Sequence, residues 1–112
     1  MLRASVEHHD GSLDPAVIIA GCGDCGVDGA DEILALTDAT VMRDNAEYPD
    51  ARVRAELRFG RDGADRIAMV AANFEMMNRL MDAIGAPVSA RHTPLADEMG
   101  LTVPDHLRED LR

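Results

Sequence analysis

One stretch constrains this chain more than any other: Ala64 to Gly85, ADRIAMVAANFEMMNRLMDAIG. Ile67, Val70, Phe74, Met77, Met81 and Ile84 step by three and four residues, the spacing that puts side chains on one face of an α-helix. A second row, Met69, Ala72, Met76 and Leu80, lies beside the first, so more than half of the circumference is apolar. A helix with that much apolar surface is central, or packs on neighbours from two sides, one of which would be another subunit. Asp65, Arg66, Asn73, Glu75, Asn78, Arg79 and Asp82 form its polar remainder. Asn78 and Arg79 are expected to pair with an acid such as Asp82 or Glu75, or to bond the end of a neighbouring helix. Gly85 is placed to end the helix, and Pro87 prevents its resumption.

The rest of the chain predicts shorter helices. Asp14-Pro15 is a good helix start, but Ala16–Ala20 is too short to separate helix from buried strand. Asp28 is placed to cap a helix from about Gly29 to Arg43, with Ile33, Leu34, Leu36, Thr37, Val41 and Met42 on its apolar face. Asp50 is placed to cap a third, Ala51 to Phe59, with Val53, Leu57 and Phe59 inward, and 60–63 reads as a tight turn. Thr93-Pro94 predicts a short helix to about Gly100, and Pro104 another to about Leu111. Aromatic residues make up only 3%, and no stretch alternates with period two, so the core must come from Ala, Leu, Ile, Val and seven Met. The expected fold is all-α: one small helical bundle spanning 1–112 around a long central helix at about 64–85, assembled as a homo-oligomer. Residues 1–13 and 88–112 are expected to extend from this body or wrap it.

Charge narrows the partners. Twenty-one acids against eleven bases give a net charge of −10, which repels phosphate backbones and anionic membrane surfaces. No nucleic acid and no membrane is expected as a partner. No apolar run approaches the length of a membrane span, and the N-terminal MLRASVEHHDGS lacks the apolar centre of a secretory signal. A cytoplasmic location is the default expectation.

The one constellation with chemical promise is Cys22-Gly23-Asp24-Cys25. At this spacing one thiolate can attack a disulfide or peroxide and the other can resolve the product. Asp24 would raise rather than lower a neighbouring thiol's pKa. A helix beginning near Gly29 favours Cys25 as the more acidic thiol, with Cys22 its partner. Glu7, His8, His9 and Asp10 are the candidates for proton transfer. The same cysteines could instead join His8 and His9 around zinc, although adjacent histidines diverge, or be unremarkable thiols on a glycine loop. His92 and His106 are isolated and read as surface or packing groups. No cofactor is implied by any motif.

Residues 30–90 resemble the C-terminal half of the alkylhydroperoxidase D-like / carboxymuconolactone decarboxylase family. The resemblance is carried by Glu32–Ala39, by Arg54–Gly60, and above all by Asn78-Arg79-Leu80 running to Gly85-Ala86-Pro87. It implies an all-helical fold in dimers, trimers or hexamers. For members with the full motif it implies a thiol peroxidase or disulfide reductase that draws on a thiol or disulfide electron donor. That motif is an acid, Cys-x-x-Cys about a dozen residues later, and a His four residues after the second Cys. Asp10, Cys22 and Cys25 match, with His9 beside the acid, while Gly29 stands where the His would be.

Overall fold

The computed structural model describes residues 15–20 and 25–111. Among them the chain is helical and contains no strand. The elements are α1 (Pro15–Ala20), α2 (Ala30–Val41), α3 (Tyr48–Ala83) and α4 (Thr93–Glu98), with 3-10 turns at Ala90–His92, Asp105–Leu107 and Glu109–Leu111. The run after Asp14-Pro15 is thus helix and not strand. No helix among the described residues is long and apolar enough to cross a membrane. The chain divides into two compact units, Asp28–Met81 and a second made of Met1–Val27 with Asp82–Arg112.

The first unit is a bundle of three helical limbs. α2 starts after Gly29, whose left-handed backbone (φ 72°) serves as N-cap without a side-chain hydrogen bond. The expected cap, Asp28, is engaged elsewhere: its carboxylate accepts a hydrogen bond from Arg58. Asp31 and Glu32 occupy the first turn, where the helix dipole favours acids. After α2 the chain turns on Asp44, whose Oδ1 accepts from the amides of Ala46 (2.8 Å) and Glu47 (3.0 Å). Asp44, and not Asp50, thus supplies the side-chain acceptor for the free amides ahead of the next helix, the capping role expected of Asp50. α3 accordingly begins at Tyr48, three residues before the expected start, with Pro49 in the first turn where its missing N–H costs nothing.

α3 is two limbs, not one rod. Gly60 alone leaves helical geometry (φ 74°, ψ 169°), and 61–63, expected as a turn, continue the helix. Arg52 Nη2 lies 2.5 Å from Asp65 Oδ1. Thirteen residues of straight helix would separate the two by roughly 20 Å. The second limb therefore folds back along the first. The corner is packed by Phe59: a Cβ on Gly63 would lie 2.6 Å from Phe59 Cβ, and one on Gly29 would overlap the Phe59 ring.

The core of this bundle is made of small residues. Leu36, Ala39, Ala51, Ala55 and Ala64 are buried together, with Ala35, Tyr48 and Ile67 packed at the edge. Among the described residues only Leu36 is a large side chain with no exposure at all. The first limb thus turns Ala51 and Ala55 inward, while Val53 and Leu57, expected inside, lie outside (Leu57 84% exposed). The second limb does the same. Ala64 and Ala71 are buried, Ile67 is half-buried, and Val70, Phe74, Met77 and Met81 of the apolar seam are exposed. Alanine faces win inside because three short limbs on tight corners approach too closely for larger side chains.

In the second unit α3 ends as its sequence predicts, with Gly85 at φ 60° and its N–H bonded to Asp82 O (3.1 Å). α4 ends at Gly100 in the same way (φ 70°), with Leu101 N–H reaching Ala96 O. The helix expected from Pro104 to Leu111 is interrupted. Arg108 is extended between two 3-10 turns and forms an isolated parallel bridge with Val88. Val88 donates to Leu107 O (2.6 Å) and accepts from Glu109 N–H (3.2 Å), while Glu109 Oε2 accepts from Ala90 N–H. These backbone bonds to the segment just past α3 are what hold the tail out of a continuous helix.

Candidate functional site

Of the residues singled out for thiol chemistry, only Cys25 is among those described; His9, Asp10 and Cys22 lie outside them, as do Glu7 and His8. Cys25 carries a free thiol that is 4% exposed. A thiol that attacks an external disulfide or peroxide needs access and an electropositive setting. Cys25 precedes α2 by five residues, with Gly29 between them in the left-handed conformation, so it is not in the helix's first turn. Among the described residues no group of three or more His, Cys, Asp or Glu is placed to hold a metal ion. His92 and His106 are both exposed.

The bundle places two other arrangements on view. The first is a set of charged pairs at its corners. Arg52 bonds Glu56 (2.7 Å) and Asp65 together, and both acids push its guanidinium pKa further above its ordinary range, Glu56 the more. Arg58, bonded to Asp28, is raised for the same reason and lies 5.5 Å from the centre of the Phe59 ring. These pairs tie limb to limb and limb to loop. Arg79 bonds Glu75 (2.6 Å) one turn back, the structural pairing its spacing predicts.

The second arrangement is a groove of about 540 Å³ between α2 and the second limb of α3. Ile33, Thr37 and Val41 form one wall, and Ile67, Val70 and Phe74 the other. Arg66 stands at one end; Asn78 and the Arg79-bound Glu75 stand at the other. The groove opens onto the outward face of the limb. There, seven large apolar side chains between Met69 and Met81 are each 46–63% exposed. The periodicity that puts these methionines in the core or at a subunit contact does not say which side of α3 is buried. The signal was present in the alanines: Ala35 and Ala39, Ala51 and Ala55, and Ala64 and Ala71 recur at one- or two-turn spacing on three consecutive limbs.

No family model, no curated protein and no solved structure matches this chain.

Proposed function

We propose that this chain is a non-catalytic association module whose working surface is the outward face of the second limb of α3. One observation carries the reading: the limb buries Ala64 and Ala71 and presents Val70, Phe74, Met77 and Met81 to the outside. Scattered exposed hydrophobes are ordinary on a protein surface, but a contiguous stripe beside an open apolar groove is the mark of an interaction site. The alternative is dithiol redox chemistry at Cys22 and Cys25 with Asp10 or His9 moving the proton. It requires a thiol that a peroxide can reach, and Cys25 is almost wholly covered.

One treatment with hydrogen peroxide, read by mass spectrometry, tests both. Met42 lies off the proposed surface and is 76% exposed, against 48% for Met77. Exposure alone therefore allows less than a twofold difference in their oxidation. The expected result is severalfold slower sulfoxide formation at Met77 and Met81 than at Met42, with Cys22 and Cys25 retained as thiols. Equal rates at the three methionines, together with no binding of a hydrophobic dye at the face, would sink the association reading. A Cys22–Cys25 disulfide that forms and is turned over by an added thiol would establish the redox reading instead.

A further inference from the structure

We infer that the occupant of this surface is a second copy of the same chain, each copy laying the second limb of its α3 into the groove between α2 and α3 of the other. The inference rests on the association reading above and names its partner. Three observations point to it.

The first is spacing. Ile67, Val70, Phe74, Met77 and Met81 follow the alternating three-and-four step of a helix built to run alongside another helix. Such a seam fits a helical partner, and the groove beside it is an apolar trough bounded by two helices. Seam and groove share Val70 and Phe74, so one approach by a second limb covers both. The contact is then reciprocal, as two-fold symmetry demands.

The second is area. Seven large apolar side chains, each about half exposed, present on the order of 100 Å² apiece, or roughly 700 Å² per copy, close to the ~800 Å² per partner of a stable interface.

The third is charge. The whole chain carries −10, and two such chains repel. Between Arg66 and Met81 the only acid is Glu75, already bonded to Arg79, and Arg66 leaves the stretch with one positive charge in excess. The limb as a whole, 61–83, carries three arginines against four acids and is close to neutral in a strongly acidic chain, so two copies meet there with less repulsion than the net charge alone implies.

Sedimentation equilibrium over a range of concentrations tests the inference, with Phe74→Glu, Met77→Glu and Val53→Glu alongside the parent chain. All three positions are already exposed in the single chain, so the substitutions leave its own packing intact. The parent is expected to approach twice the 12.1 kDa of one chain. Phe74→Glu and Met77→Glu should each weaken that association by at least about tenfold, and Val53→Glu, on the first limb, should not. A parent dimer untouched by Phe74→Glu and Met77→Glu would overturn both the inference and the association reading. A parent that stays monomeric, yet binds a hydrophobic dye lost on Phe74→Glu, would overturn the second copy while leaving the face an interaction surface for another polypeptide. If the glutamate variants fail to fold, the parent alone decides. Protection of Met77 and Met81 relative to Met42 must grow with protein concentration, and protection independent of concentration refutes the inference.

Discussion

At the residue scale the bundle depends on how few atoms separate its limbs. Gly29 combines a left-handed backbone with a hydrogen where any Cβ would meet the Phe59 ring. Gly29→Ala is expected to lower stability by about 1–3 kcal/mol, part from backbone strain and part from displacing the ring. The two parts separate in a double-mutant cycle. In a Phe59→Ala background the steric part disappears and about 1 kcal/mol of backbone cost remains. Denaturant midpoints for the four proteins give the coupling, and strict additivity would mean that Phe59 does not sit against Gly29. Leu36, the one large side chain fully enclosed among the described residues, sits among buried alanines with Tyr48 and Ile67 packed at the edge.

At the element scale the decisive feature is the return of α3 on itself at Gly60. Arg52 bridges the two limbs through Asp65 while bonding Glu56 on its own limb. Replacing Arg52 and Asp65 by alanine, singly and together, is expected to show favourable coupling in chemical unfolding, since the pair meets only across the corner. Zero coupling would mean that the limbs are not apposed as described. Much of this element was legible beforehand. The break near 60, the end of α3 at Gly85, the Glu75–Arg79 pairing and the short helix before Gly100 all follow from local residue chemistry, which neighbours do not override. What was not legible is which face turns inward. Hydrophobicity ranks Val53, Leu57 and Phe74 above alanine, but limbs joined by tight corners pack closely, and closeness selects small residues over apolar large ones. The caps failed for a related reason: Asp28 was drawn away by Arg58, a partner thirty residues distant that no local pattern reveals. Of the candidate thiol residues only Cys25 lies among those described, and its burial depends on the fold and not on Cys-x-x-Cys spacing.

At the scale of the whole molecule, charge sets how the chain responds to its surroundings. All eleven of its cations are arginine, and they face twenty-one acids. At low ionic strength the unbalanced acids repel one another in the folded state more than in the expanded one. Added salt screens that repulsion, and also weakens the ion pairs of Arg52, Arg58 and Arg79. The exposed pairs of Arg58 and Arg79 contribute little each and the part-buried Arg52 is screened less, so relief of the net charge dominates. The unfolding temperature is expected to rise between low and molar salt, together with the strength of self-association. A fall in both would show that the ion pairs, and not the net charge, control the balance.

The Gly60 corner sets two arrangements of the same limbs one residue apart. With Gly60 in right-handed geometry, Tyr48–Ala83 becomes a single helix of roughly 54 Å. Every contact across the corner, Arg52 to Asp65 included, can then be made only with another chain. Alanine at 60 is strained in the folded-back form and relaxed in the open one. Gly60→Ala should therefore drive limb exchange between copies, producing an intertwined dimer whose chains part only when it unfolds. Native mass spectrometry after mixing light and heavy-isotope dimers reads this directly. Scrambling no faster than global unfolding marks the exchanged form, and scrambling as fast as in the parent chain would mean that each limb still folds against its own.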